Sequence, residues 1–188
     1  MMPPLDTRRW QSHGPPPPQG GVGPPCPVCG VSRWVELGGG QAKDVHHPNI
    51  DRYSHPNVDI VADLETNNLP FHDGHATRIK AIHSLQHLSR DACRRMLREC
   101  YRVLVPGGQI YIMINDMAFL AQRMVDDGVC EEWLNSVFHD PTDTAGGHHK
   151  WGYSFETMKA ELEAAGFVGV DFEHFYNRWE FCLSAVRA

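Results

Sequence analysis

Apolar and polar positions along the chain form two alternating patterns, short β-branched or aromatic runs and longer segments with helical spacing. The short runs predict seven strands at 34–37, 49–51, 58–62, 78–83, 109–114, 167–175 and 179–186. Helical spacing predicts four helices at about 90–104, 117–127, 131–138 and 155–165. Alternation of strands and helices, closed by a hairpin around Asn177, predicts an α/β three-layer sandwich. Its Rossmann-like sheet is expected to be mostly parallel, with one antiparallel strand near the C-terminus.

Local signals mark the ends of two of the predicted helices. Ser89 is positioned to cap the first helix, and Ser154 opens the last one. Pro106-Gly107-Gly108 is expected to end the first helix, because proline and glycine both interrupt helical structure. Gly166 is expected to end the last one.

Proline divides the 188 residues into two parts. Nine of the 14 prolines lie in the first 30 residues, beside a Gly-rich stretch. Residues 1–32 are therefore predicted to be a disordered or loosely attached leader, because such a composition cannot form a helix or the interior of a sheet. Residues 33–188 are predicted to form one globular domain.

Charge and hydropathy exclude several classes of function. The net charge of -6 gives no general attraction to a phosphate backbone, so duplex nucleic acid is disfavoured as a partner. No apolar run approaches the roughly 20 residues that span a bilayer, and no secretory signal is evident. We therefore expect a cytoplasmic protein with reduced thiols that acts on a small-molecule substrate. The oligomeric state is left open.

Cys26-Pro-Val-Cys29 is one half of a possible zinc knuckle within the leader. A structural zinc needs four ligands, and the chain has no second Cys-x-x-Cys. His46-His47 or His148-His149 could complete a site only by coincidence of folding. An unpaired turn is therefore the preferred interpretation, and no metal is predicted.

Residues suited to ligand binding follow several of the predicted strands. Glycines 38–40 follow the first strand, Asp51 ends the second, Asp63 follows the third and His83 ends the fourth. Asn115-Asp116 follow the fifth. In parallel sheets the ligand crevice lies at the carboxyl ends of the strands, so we expect these residues to surround one site.

From residue 33 to 188 the chain resembles the class I S-adenosylmethionine-dependent methyltransferases. The most diagnostic motif is the strand entry that resembles R-x-L-K-P-G-G. The motifs that carry the resemblance are VELGGG (35–40), NID (49–51), VADLETNNLPF (61–71), AIHSLQHL (81–88), LRECYRVLVPGGQIYI (97–112) and ELEAAGFVGV (161–170). The resemblance implies S-adenosylmethionine as cofactor and methyl transfer as the reaction.

The resemblance also implies cofactor-binding roles for the residues after the first two strands. Gly38 and Gly40 would allow the backbone to approach the methionine portion closely, and Glu36 belongs to the same motif. Asp51 would accept hydrogen bonds from the ribose hydroxyls. The alternative for Asp51 is an ordinary acidic residue in a surface turn.

Further along the chain, the resemblance implies that Asp63 and Leu64 flank the adenine and that His83 and Ser84 line the floor near the sulfonium. The candidates for a general base are His83, Asp116 and the His148-His149 pair. A turn cap is the alternative for Asp63, and a core histidine whose hydrogen bonds are satisfied is the alternative for His83.

Three departures from the family pattern are visible. Only ten residues separate Gly40 from Asp51, which is too short for the usual first helix together with the second strand. This spacing is typical of a subgroup with a shortened first crossover. Gln86 occupies a position where the family often has Glu, and Ala42 replaces a common third glycine.

Two other functions remain as alternatives. The chain could be a catalytically inactive relative that keeps the fold to bind a partner. An NAD-dependent oxidoreductase is disfavoured, because the chain lacks G-x-G-x-x-G. The preferred prediction is in-line methyl transfer to a small-molecule or saccharide-like acceptor.

Overall fold

Seven strands form one continuous sheet in the computed structural model, which describes residues 34–40, 48–139, 147–177 and 179–188. The strand order is β3-β2-β1-β4-β5-β7-β6. The strands are β1 Trp34–Leu37, β2 Asn49–Asp51, β3 Ile60–Val61, β4 Ala76–Ile82, β5 Leu104–Asn115, β6 Phe167–Asn177 and β7 Glu180–Arg187. Strands β1 to β5 are parallel, and β7 pairs antiparallel with both β5 and β6. The predicted α/β, Rossmann-like sheet with one antiparallel strand is confirmed.

Four helices accompany the sheet within the described residues, and all four were predicted within about one residue. They are α1 Arg90–Val103, α2 Met117–Asp127, α3 Glu131–Phe138 and α4 Phe155–Ala164. A short 3-10 turn, Leu85–His87, precedes α1. Ser89 caps α1 by accepting a hydrogen bond from the Ala92 backbone N–H. Within the described ranges, none of the helices is long and apolar enough to cross a bilayer.

The segment Pro106-Gly107-Gly108 differs from its prediction. Helix α1 ends at Val103, and these residues form an irregular part of β5. Leu104 pairs with Ala76, but the next pair is Gln109 with Arg78, so residues 105–108 bulge out opposite a single residue of β4. The residues predicted to stop the helix therefore form a register shift within strand β5.

One apolar core lies between the sheet and helices α1 and α4. Alternate residues of the central strands face this core, because side chains alternate between the two faces of a strand. Its fully buried members include Leu37, Ile79, Ile112, Met96 and Leu162. The core fixes the central strands side by side, and their carboxyl ends therefore share one edge of the sheet.

Replacing Ile112 by alanine tests this packing. Ile112 is fully buried in β5 between β4 and β7. We expect Ile112→Ala to lower the free energy of unfolding by about 2–5 kcal/mol, through lost burial and a residual cavity. Urea denaturation measures the change. The control Val168→Ala alters an exposed residue of β6 and should change it by less than about 0.5 kcal/mol. Equal effects of the two variants would contradict the assignment of the core.

Candidate functional site

A cavity of about 400 Å³ lies at the carboxyl ends of β1, β2 and β4. Its walls come from the turn after β1, the residues after β2, β3 and β4, and the segment 147–150. The lining residues are Gly38, Gly40, Asp51, Arg52, Tyr53, His55, Asp63, Leu64, Glu65, His83, Ser84, His87, Leu88, Gly147, His148 and Lys150. This volume falls in the range of about 300–1,000 Å³ that is usual for small-molecule sites.

The glycine turn after β1 approaches the end of β4 very closely. Gly38 has a φ of +67°, a conformation that glycine adopts without steric cost. A Cβ at Gly38 would lie 2.4 Å from the Cβ of Ser84. The backbone N–H of Gly38 donates to the Ile50 carbonyl over 2.7 Å. Only glycine therefore fits where the turn passes Ser84.

Asp51 ties the glycine turn to the end of β2. Its Oδ2 accepts a hydrogen bond from the Gly40 backbone N–H over 2.9 Å. Its Oδ1 accepts one from the Tyr53 backbone N–H over 3.0 Å. A carboxylate oxygen can accept two hydrogen bonds, so both oxygens keep acceptor capacity for a ligand.

Asp63 and Leu64 follow β3 and also line the cavity. Asp63 Oδ1 accepts a hydrogen bond from the Glu65 backbone N–H over 3.0 Å, and Arg52 Nε lies 3.5 Å from Oδ2. Asp63 therefore caps its own turn while it lines the cavity. Leu64 is 8% exposed and supplies an apolar surface.

The segment after residue 146 closes another side of the cavity through Lys150. Lys150 Nζ lies 3.2 Å from Glu65 Oε2, which also accepts a hydrogen bond from the Ser89 backbone N–H over 3.0 Å. Burial alone would raise the pKa of Glu65, but the hydrogen bonds from Ser89 and Lys150 outweigh burial and lower it. Glu65 is therefore ionised, and it holds this segment through its ion pair with Lys150.

His83 lies directly after β4 in a strained conformation. Its φ is +52°, which is uncommon for a residue other than glycine, and its backbone N–H donates to the Met113 carbonyl over 2.9 Å. Burial, followed by the nearby His87 and His139, lowers its pKa to about 4. Its Nε2 lies 3.3 Å from Glu180 Oε1. A carboxylate only accepts, so Nε2 carries the proton of the neutral ring and Nδ1 keeps its lone pair.

A second cavity of about 390 Å³ adjoins the first, and His83 and His87 line both. Its remaining walls come from the end of β5, helix α3 and the start of β7. The lining residues are His83, Gln86, His87, Asn115, Asn135, Ser136, His139, His149, Trp179 and Glu180. Most of these residues carry hydrogen-bonding groups.

Comparisons with known proteins agree with this arrangement. Residues 40–112 match the family model described as a methyltransferase domain, which is less than half of the chain. A comparison with curated protein sequences gave no match.

Several solved structures described as S-adenosylmethionine-dependent methyltransferases share this fold. One from Archaeoglobus fulgidus is 17% identical with a TM-score of 0.62, over 84% of this chain and 86% of the other. One from Thermotoga maritima, described as a possible histamine N-methyltransferase, is 17% identical with a TM-score of 0.56, over 86% and 84%. One from Mesorhizobium loti is 16% identical with a TM-score of 0.56, over 82% and 90%.

Residues 40–112 thus match a methyltransferase-domain model, and the chain shares the fold of S-adenosylmethionine-dependent methyltransferases. This match confirms the resemblance seen in the sequence motifs and implies S-adenosylmethionine as cofactor. The first cavity fits that cofactor, because the glycine turn lets a ligand approach the backbone and Asp51 keeps acceptor capacity. Ser84 also lines this cavity, and its Oγ is buried without a hydrogen-bond partner among the described residues.

Most of the predicted cofactor-binding residues lie around this one cavity. They are Gly38, Gly40, Asp51, Asp63, Leu64 and His83. Their direct contact with the cofactor stays a prediction. They meet because the carboxyl ends of parallel strands share one edge of the sheet.

Glu36 and Asp116 contact structural partners, and their predicted roles in cofactor binding and catalysis stay predictions. Glu36 is 2% exposed and faces Lys80, whose Nζ lies 3.3 Å from Glu36 Oε2. Asp116 caps α2, where its Oδ1 accepts a hydrogen bond from the Ala118 backbone N–H over 3.0 Å. Neither residue lines the two cavities described above. Each carboxylate is committed to a structural partner.

Several lining residues were not predicted from the sequence. Arg52 and Tyr53 follow Asp51 directly, so their position after a strand end was a usable signal. Glu65 follows Asp63 in the same way. Glu180 and Trp179 are almost a hundred residues from His83, and only the pairing of β7 with β5 brings them to it.

The structure describes some of the chain's cysteines but not Cys26 and Cys29. The unpaired turn predicted for these two therefore lies outside the described residues. Cys93 and Cys100 are fully buried in α1, and burial raises the pKa of the Cys93 thiol to about 11. Among the residues that the structure describes, no group of three His, Cys, Asp or Glu side chains is arranged to hold a metal ion.

Replacing Asp51 tests the ribose-binding role. Asp51→Ala removes a carboxylate that would accept charge-assisted hydrogen bonds, and we expect S-adenosylhomocysteine to bind about 1–3 kcal/mol more weakly. Isothermal titration calorimetry measures the affinity. Asp171→Ala, which changes an exposed residue of β6, serves as the control. Unchanged affinity in Asp51→Ala would remove Asp51 from the site.

Acid should destabilise the domain through the histidines of the second cavity. Burial, together with the nearby His87, also lowers the pKa of His149 to about 4. In the unfolded chain these rings take up protons near pH 6.5. The free energy of unfolding is therefore at its full value above that pH and falls as the pH drops from about 6.5 to 4. We expect His149→Asn to lose less stability over this interval than the unaltered chain. Urea denaturation at both pH values measures the loss, and identical losses would contradict the assignment.

Proposed function

We propose that this domain transfers a methyl group from S-adenosylmethionine, in the first cavity, to a small polar acceptor in the second. The observation that supports the proposal is the wall common to both cavities. His83 and His87 line each of them, so molecules bound in the two cavities would meet there. When bound, the cofactor supplies a methyl group activated by its own sulfonium, and proximity and alignment then supply much of the catalysis.

The residues of the first cavity would hold the cofactor by distinct contacts. The glycine turn gives close backbone approach to the methionine portion, and Asp51 accepts from the ribose hydroxyls. Asp63 and Leu64 flank the adenine, the first with a polar edge and the second with an apolar surface. These contacts would direct the sulfonium of the cofactor toward His83.

His83 would serve the acceptor through its ring. Its Nε2 proton lies against Glu180 Oε1, which leaves the Nδ1 lone pair to receive the acceptor's proton. The lowered pKa keeps the ring neutral at physiological pH but makes it a weak base. His83 would therefore orient the acceptor and contribute modestly to proton removal, with alignment as the larger effect.

The second cavity favours a polar acceptor. Asn115, Asn135 and Ser136 present amide and hydroxyl groups, and the indole of Trp179 offers a flat surface. A saccharide-like or other small hydroxylated molecule matches this combination. A basic amine is the second acceptor class, favoured by the Glu180 carboxylate and by the possible histamine N-methyltransferase among the similar structures.

Two measurements on the full chain test the proposal. S-adenosylhomocysteine should raise the melting temperature, because a ligand that binds only the folded state stabilises it. Transfer of a labelled methyl group to small molecules of a cell extract should fall about 10–100-fold in His83→Asn, while the thermal shift is retained. His72→Asn, an exposed histidine outside both cavities, is the matched control.

Two outcomes would overturn the proposal at different points. If S-adenosylhomocysteine leaves the melting temperature unchanged, the domain is a binding or scaffold protein that has kept only the fold. If the cofactor product binds but His83→Asn transfers methyl groups at the normal rate, the role of His83 is wrong.

A further inference from the structure

Gln86 is buried in the wall of the second cavity and holds the segment 147–151 in place. It is the second residue of the 3-10 turn and is 4% exposed. Its backbone carbonyl accepts hydrogen bonds from the N–H groups of Lys150, over 2.8 Å, and Trp151, over 3.3 Å. Its side chain lines the second cavity. The position that departs from the usual Glu of the family is therefore part of the proposed acceptor site.

The contacts of His149 determine the orientation of the Gln86 amide. His149 Nδ1 lies 3.0 Å from the Val137 carbonyl oxygen, which can only accept, so Nδ1 carries a proton. The ring is neutral, because burial and the nearby His87 lower its pKa to about 4. Its Nε2 must then accept, and Gln86 Nε2 donates to it over 3.0 Å. The amide oxygen, Oε1, is consequently turned away from His149.

Gln86 Oε1 is left without a hydrogen-bond partner. It is buried, and no described residue donates to it. A buried carbonyl oxygen with no donor is costly and rare in folded proteins. A molecule in the second cavity that presents an N–H or O–H would remove this cost, whereas an ether or a neutral tertiary amine would not.

A glutamate in place of Gln86 could not make the same hydrogen bond to His149. A carboxylate cannot donate to a neutral His149, and its negative charge would favour the protonated ring. The amide is the group of this shape that donates to His149 and still keeps an oxygen acceptor. Gln86 and His149 are thus chemically matched to each other.

We propose that Gln86 determines acceptor specificity, with Oε1 receiving a hydrogen bond from an N–H or O–H group of the methyl acceptor. This inference rests on the proposed function, because it takes the second cavity to be the acceptor site. It limits the acceptor to molecules that carry a hydrogen-bond donor, such as alcohols, saccharides and primary or secondary amines.

A pair of probes that differ in one donor tests the proposal on the full chain saturated with S-adenosylhomocysteine. Benzyl alcohol and benzyl methyl ether are titrated while the imidazole signals of His149 are followed by NMR. We expect the alcohol to bind the unaltered chain about tenfold more tightly, the effect of leaving one buried group unpaired. Gln86→Met should abolish the difference, and the control Gln122→Met, on the exposed face of α2, should retain it.

A second variant gives a readout that needs no probe. In Gln86→Glu the carboxylate should raise the pKa of His149, and the NMR titration of its ring should move to higher pH. This variant keeps the side-chain shape, so it remains informative if Gln86→Met fails to fold.

Three results would overturn the role of Gln86. They are equal binding of the two probes or no binding at this cavity, a preference that persists in Gln86→Met, and an unaltered His149 titration in Gln86→Glu. In each case S-adenosylhomocysteine would still stabilise the chain if the proposed function is right. A failure of this inference is therefore distinguishable from a failure of the methyltransferase proposal.

Discussion

The close approach of Gly38 to Ser84 is the constraint on which the site depends. A single added methyl group at Gly38 would lie 2.4 Å from the Ser84 side chain, so the ends of β1 and β4 can meet only because this residue is glycine. The turn is then held by the Ile50 carbonyl and by the Asp51 carboxylate. Burial of the central strands in one apolar core supplies the rigid edge against which the turn is held.

The contact between Gly38 and Ser84 also determines how the two cavities are arranged. The residues after β4 begin with His83 and Ser84, so the segment that packs on the glycine turn is also the wall between the cavities. Strand β7 brings Glu180 to the far side of His83, and the segment 147–150 brings His149 to Gln86. Two adjoining cavities are thus built from the ends of neighbouring strands, the usual location of ligand sites in open α/β sheets.

Sequence patterns predicted the features that depend on neighbouring residues. They did not predict contacts between residues that are far apart in the chain. Hydrophobic spacing and caps such as Ser89 located the helices, and strand ends located Asp51 and Asp63. Glu36 points to Lys80 on the neighbouring strand β4, a contact that no spacing rule reveals. Asp116 directly precedes α2, so its capping role was a local signal available in the sequence. The pairings of His83 with Glu180 and of Gln86 with His149 join residues more than sixty positions apart. Only the assembled sheet shows them.

A crystal structure of the chain with S-adenosylhomocysteine tests the central claim most directly. The account predicts the ribose hydroxyls against the Asp51 carboxylate, the adenine beside Leu64, and the sulfur directed past His83 toward the second cavity. A ligand bound outside the first cavity, or one whose sulfur points away from His83, would contradict the account.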